Sequence, residues 1–439
     1  MSKGRDTTPH IHFTGFMLYG PAPHMIMSWV YPEEEMTAGK WYEMSYWTDI
    51  AQTLERGCFD MFFFADGLSG GTNRASKQYG IQFPTHDPLE LVPYLAAKTN
   101  KLGFAVTMST TFYQPFMLAR KLLTLDHVTQ GRIGWNVVCS LSSGEAKNFS
   151  MNALPEHDER YDRADEFMEC VNALWESWDE DAMEMDMEEG RFADPDKIQK
   201  INFEGRWFNC QGPLNVIPSP QRKPYVFQAG GSERGKTFAA KHAECVFASA
   251  AGTRQMRETV DDLKSKMENA GRDPETLKVL WGGQPLVAAS ESEAREKFQA
   301  IRARIPIEAK LSLVAGHFNL NLAEINVDEP IADWDIQGTQ GMAEMYVKDN
   351  PNITLRQIAD SYLSGSDDSP MVGTPEQVAE YLIHLIEEGG GSGFQITPSY
   401  YAPVYYRDFV EQLVPVLQKK GVMRTSYEGN TLRDYMNAW

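Results

Sequence analysis

Residues 131–161 read GRIGWNVVCSLSSGEAKNFSMNALPEHDERY, and how this stretch is read decides the fold. Its first part, residues 132–139, is a short run rich in Ile, Val and Trp behind a turn-forming Gly131, the composition of a strand buried on both faces. Asn136 interrupts the run. A buried amide needs partners, so Asn136 either bonds neighbouring backbone or faces a ligand. A Ser-, Gly- and Asn-rich loop follows. Asp158 then offers an N-cap, and Ala164, Phe167, Met168, Val171, Leu174 and Trp175 recur at helical spacing. His157 and Tyr161 therefore stand at a helix N-terminus, where backbone N–H groups and the helix dipole favour an anion. A strand that carries a polar residue and feeds such a helix can hold a polar ring and a phosphate together.

Outward from this unit the same alternation continues. Strand-like runs fall at residues 12–18, 60–64, 103–108, 225–228, 245–248, 279–286 and 394–397, in addition to 132–139. Helical patterns occupy residues 41–56, 87–98, 115–125, 234–242, 254–270 and about 405–417. Eight strands each leading towards a helix predict a parallel sheet closed into an α/β TIM (β/α)8 barrel. Two stretches interrupt the repeat, about 180–224 after the fourth strand and about 291–368 after the seventh. Long insertions on a barrel serve as lids or oligomer contacts. A helix before the last strand is marked by the capping start Thr374, Pro375 and Gln377. No composition break separates a second domain, so residues 1–439 read as one domain.

Composition narrows the function. A net charge of −20 leaves no basic footprint for nucleic acid or an anionic membrane. Part of the charge is the acidic run at residues 179–189, expected to be a solvated loop. Five cysteines without a C-x-x-C pair, no apolar run of membrane-spanning length and no signal-like N-terminus predict a reduced, cytoplasmic protein.

Active sites of such barrels form at the C-terminal strand ends. The polar residues there are Asp66 after the second strand, Thr107 and Ser109 on the third, Asn136 on the fourth and Ser232 after the fifth. Each alone could serve its own backbone: Asp66 as a turn cap, Thr107 through a local bond. Together they line a pocket. Residues 230–235, GGSERG, leave a strand and open a helix, so the Gly231 backbone and the Ser232 hydroxyl can approach a phosphate. The glycine spacing is not that of a dinucleotide fingerprint, which favours a mononucleotide.

The wording GRIGWNVV, AKNF and HDERYDRADEF closely resembles the two-component, reduced-flavin-dependent monooxygenases of the bacterial luciferase superfamily. The nearest clade is the one with nitrilotriacetate, EDTA and dibenzothiophene-sulfone monooxygenases. The resemblance implies flavin contacts at Asp66, Thr107, His157, Tyr161 and Ser232, with Tyr161 and Ser232 on the phosphate, and Asn136 beside the ring. It implies FMN, as FMNH2, with O2 as co-substrate and a separate NAD(P)H:flavin reductase as transient partner. Relatives carry a His-rich Gly-Ala-Trp-Arg segment near the first strand and a His-Thr-Gly triplet in the late insertion. This chain has residues 23–29 as PHMIMSW and 317–319 as HFN, and Cys139 stands where Thr is usual. His24 and His317 are thus expected to serve substrate or proton transfer, and Met25, Met27, Trp29 and Phe318 an adaptable substrate wall.

Two rivals differ in class. His10-x-His12 is similar to the metal pair of amidohydrolase barrels, but residues 227–229, 247–249 and 396–398 lack the remaining ligands. The other is a non-catalytic flavin-binding barrel, against which the full set of strand-end residues and both insertions speak. The expected function is oxygenation or oxidative cleavage of a small organic compound (a sulfone, a chelator or a heteroaromatic or halogenated ring) by a homodimer or homotetramer.

Overall fold

In the computed structural model, residues 9–21, 29, 40–70, 74–250, 252–336, 338–362 and 368–438 are described. The wall is set by alternation along each strand. In β4 (Ile133–Val138), Ile133, Trp135 and Val137 join the cluster packed against the outer helices, while Gly134 and Asn136 face the barrel axis. β4 is one of eight parallel strands forming a closed barrel. The others are β1 (His12–Leu18), β2 (Met61–Ala65), β3 (Gly103–Ser109), β5 (Tyr225–Gln228), β6 (Cys245–Ala248), β7 (Lys278–Gly283) and β8 (Gly393–Ile396). Each strand neighbours those next to it in sequence, and β8 closes on β1 through the pairing of His12 with Gly393.

The outer ring begins with α1 (Met44–Arg56), α2 (Arg74–Tyr79), α3 (Pro88–Ala96) and α4 (Pro115–Val128), then a short α5 (Ser143–Asn148) and α6 (His157–Trp175). α7 (Glu233–His242) and α8 (Thr253–Asn269) follow β5 and β6. The segment between β7 and β8 holds α9 (Glu291–Ala303), α10 (Ile307–Phe318), α11 (Gln340–Asp349), α12 (Leu355–Tyr362) and α13 (Pro375–Gly389). α13 starts on the expected capping box of Thr374 and Gln377. α14 (Ala402–Asp408) and α15 (Val414–Lys419) sandwich one π-helical turn at Phe409–Leu413, so the expected helix at 405–417 begins earlier and carries a bulge.

The lower half of the barrel is filled by aromatics. Phe227 stacks on Phe247 with centroids 5.3 Å apart, and Phe63 meets Phe247 edge-on at 4.6 Å. The C-terminal α16 (Leu432–Asn437) closes that end, inserting Leu432 and Met436 among them. His12 also lies at this end. Its ring bonds Asp60 at 3.1 Å, and Asp60 is held further by the Phe13 amide and Arg424. A carboxylate so surrounded has its pKa lowered, by Arg424 and His12 against the opposing effect of burial. This cluster belongs to the floor, opposite the strand ends where barrel chemistry occurs.

Four local expectations are corrected. Asp158 does not cap α6. The chain stays extended through Glu156, whose carbonyl accepts the first helical bond from Arg160, so the helix starts at His157 and Asp158 falls in its first turn. The Ser-rich loop contains α5, set by a capping box of Ser142 and Glu145. The acidic run is not a loop: Met183–Asp186 pairs antiparallel with Arg191–Ala193, and the Asp186 carboxylate accepts from the Glu188 and Glu189 amides at the turn. The expected seventh strand also ends early, and Leu286–Val287 pairs instead with Val372–Gly373.

Candidate active site at the barrel mouth

At the strand ends, register brings the polar residues together. Thr107 and Asn136 are direct partners across β3 and β4, both facing inward. The Thr107 hydroxyl donates to the Phe64 carbonyl at 2.9 Å and accepts from Asn136 Nδ2 at 2.9 Å. This relay fixes the amide orientation and leaves Asn136 Oδ1 buried without a partner among the described residues. An orphaned acceptor of this kind costs stability unless a ligand donor meets it.

Thr107 of the relay borders a small cleft that opens to solvent, with Asp66, Ser109, Tyr113, Ser140 and Glu145 also on its walls. Asp66 bonds the Gly67 amide at 2.9 Å. Burial, and then the neighbouring Asp87 and Glu145 carboxylates, raise its pKa to about 7. Burial, and then the Asp87 and Asp66 carboxylates, push Tyr113 up to about 12. Glu145 is itself anchored, accepting from the Leu68 and Ser142 amides.

The other end of the site is the β5–α7 turn. Ser232 is the N-cap of α7 and accepts from the Gly235 amide at 3.1 Å. The His157 ring bridges from α6: Nδ1 lies 2.7 Å from the Asp158 carboxylate and Nε2 3.3 Å from Ser232 Oγ. A carboxylate only accepts, so Nδ1 carries the proton and, in the neutral ring, Nε2 accepts from Ser232. The Tyr161 hydroxyl reaches the same turn, where a Cβ on Gly230 or on Gly235 would stand 2.8 Å from it. Both glycines are thus required by its approach. Burial raises the Tyr161 pKa, so the group stays a phenol and can donate.

The segment between β7 and β8 touches the loops beyond β2, β4 and β5 around this mouth. Ile305, Ala309 and Leu313 pack with Ile81, Tyr79 and Trp29 beyond β2. Asn319 Nδ2 approaches Ser143 Oγ of α5 at 3.5 Å, and Gly341 of α11 lies against Gly231, where a Cβ would come within 2.9 Å of the Gly231 carbonyl. His317 bonds Gln82 at 2.8 Å, and its carbonyl accepts from Thr339. Phe318 corrects an expectation. It is fully buried in a separate core with Leu311, Val314, Ile331 and Ile358, and so belongs to the segment's own packing rather than to a substrate wall. Trp29 likewise gives its indole N–H to the Tyr79 carbonyl. His24, Met25 and Met27 lie outside the described residues.

Sequence reasoning missed Gln82, Glu145, Tyr113 and Ser140, whose positions depend on loop paths. It also passed over Arg160, one charge among many in HDERYDRADEF.

A closed parallel barrel with a polar cluster at its C-terminal mouth defines an α/β-barrel enzyme. Residues 25–393 match the model of the luciferase-like monooxygenase family, and the chain belongs to that family. It is 38% identical over 446 residues to the dibenzothiophene-sulfone monooxygenase of Rhodococcus erythropolis strain XP, covering 97% of this chain and 96% of the relative. Identity to component A of the nitrilotriacetate monooxygenase of Aminobacter aminovorans is 34% over 421 residues, covering 93% and 92%. The crystal structure of a riboflavin lyase with modified FMN and riboflavin superposes with a TM-score of 0.90 at 31% identity, over 97% of this chain and 96% of that one. The clade and barrel expected from sequence are therefore correct, and the chain is an oxidoreductase of the monooxygenase type.

Proposed function

We propose that this chain is the oxygenase of a two-component system: it takes FMNH2 by diffusion from a separate NAD(P)H:flavin reductase and uses O2 to oxygenate or cleave a small organic compound. The observation that carries this is the pairing of an orphaned, buried Asn136 acceptor with a mononucleotide-type turn at the same mouth. The residues suit the group. Asn136, Thr107 and Asp66 would orient the ring, and the hydroxyls of Tyr161 and Ser232 with the Gly231 backbone would hold the phosphate. His157 would meet the flavin side chain.

Reduced flavin supplies the electrons for oxygen activation. The protein's task is to bind, orient and keep water out. We read residues 291–368 as the lid, because their helices contact segments beyond β2, β4 and β5. His317, bonded to Gln82, is then a substrate or proton-transfer residue at the lid edge, and His24 is proposed for the same role. Homo-oligomerisation and a cytoplasmic location belong to the same reading, as does a substrate among sulfones, chelators and halogenated or heteroaromatic rings.

The test is oxygen uptake with a flavin reductase, NADH and FMN across those substrate classes. Substrate should lower peroxide release and yield oxygenated product. Rapid NADH oxidation by the purified chain without reductase would overturn the two-component reading.

A further inference from the structure

Arg160 is the second residue of interest on the first turns of α6, immediately before Tyr161 and three after His157. It is 6% exposed, yet its guanidinium forms no hydrogen bond or ion pair among the described residues, and Nε is buried without a partner. A buried cation left without a partner is costly, and such groups are normally paired. Its surroundings are Cys139, Tyr161, Glu156 and Glu145, none bonded to it, and burial lowers its pKa.

The other cations near the β5–α7 turn are already engaged. Arg234 is bound by Asp162 and Asp165, at 2.9 and 2.6 Å. Lys236 is bound by Asp262 and Glu233. Arg163 donates to the Thr110 carbonyl and lies over the Phe208 ring. A phosphate dianion entering beside Ser232 would meet the Asp158 carboxylate, which the His157 ring links to Ser232, in a chain of net charge −20. Hydroxyls and amides give it hydrogen bonds but no counter-charge.

We propose that Arg160 is the counter-charge for the phosphate of the bound flavin, a cofactor-binding residue in addition to Tyr161 and Ser232. The inference rests on the proposed flavin site and adds to it the one cation free to neutralise the ligand, among the described residues around the turn. Guanidinium suits the task because it stays charged and offers several N–H groups to phosphate oxygens.

The experiment compares FMN with riboflavin, which lacks the phosphate, by equilibrium titration of the purified chain. The variants are Arg160→Met, which keeps the apolar stem, and Arg160→Lys, which keeps the charge. The ratio of the two affinities is the readout. The Met variant should bind FMN about tenfold more weakly or worse, with riboflavin affinity little changed, and Lys should restore part of the loss. The parent's preference for FMN should shrink with added salt more than that of the Met variant. An equal loss for both flavins would place Arg160 on the ring or ribityl chain and overturn the proposal. An unchanged ratio would make it structural and overturn it equally. If the Met variant does not fold, Lys decides by the same ratio. A parent that binds neither flavin would instead defeat the proposed function, so the two failures are distinct.

Discussion

Replacing Asp66 with Asn should stabilise the flavin-free protein, by an amount that grows as pH rises from about 4 and is complete above about 7. In the folded chain the Asp66 carboxyl is raised from 3.8 to about 7 by burial and by Asp87 and Glu145. Between those values the folded state holds a proton that the unfolded state has lost. Stability therefore falls as pH rises through that window, and the penalty is complete above pH 7. Raising a carboxyl from 3.8 to about 7 sets a ceiling of about 4 kcal/mol. Asp66 is only partly buried, so water screens the effect, and a gain of about 1–2 kcal/mol is expected at pH 8. Asn keeps the acceptor for the Gly67 amide, so the comparison isolates the charge. Urea unfolding of parent and variant without flavin, at pH 4 and pH 8, measures it. The gain should be near zero at pH 4 and present at pH 8. An equal gain at both, or none at pH 8, would refute the electrostatic account of the cleft.

Three further outcomes follow from the geometry. Ser232→Ala and Tyr161→Phe each remove one hydroxyl at the turn, at a cost of about 1.5–3 kcal/mol in flavin binding, or roughly ten- to a hundred-fold in affinity by fluorescence titration. His317→Ala should leave FMN affinity almost unchanged while product per reduced flavin drops and peroxide rises; full coupling would remove His317 from the site. Leu432→Ala empties part of the barrel floor and should cost about 2–5 kcal/mol in denaturant unfolding, with flavin affinity unaltered because the floor lies opposite the mouth.

Local signals made much of this legible. Apolar strands, the Thr374 capping box and the polar residues at the ends of the second to fifth strands are properties of short stretches, and the barrel keeps them. The meeting of Thr107 with Asn136 follows once the strands are parallel and in register. Features that depend on long-range paths were hidden. The role of Leu432 and Met436 was one, because nothing near them in sequence says that the chain returns to plug the barrel. Phe318 looked like a substrate contact beside His317, but the inserted helices build their own core and take it inside. The Asp158 cap failed for a smaller reason: Glu156 stays extended and starts the helix early, without a side-chain bond. Arg160 was invisible because only the fold shows that its neighbours' charges are already paired.

The most direct test of the central claim is anaerobic titration of the purified chain with reduced FMN, followed by admission of oxygen. The account predicts saturable binding in the parent, weakened about tenfold or more when Ser232→Ala and Tyr161→Phe are combined, and consumption of oxygen by the bound flavin. Absence of saturable binding, or binding indifferent to both substitutions, would contradict it.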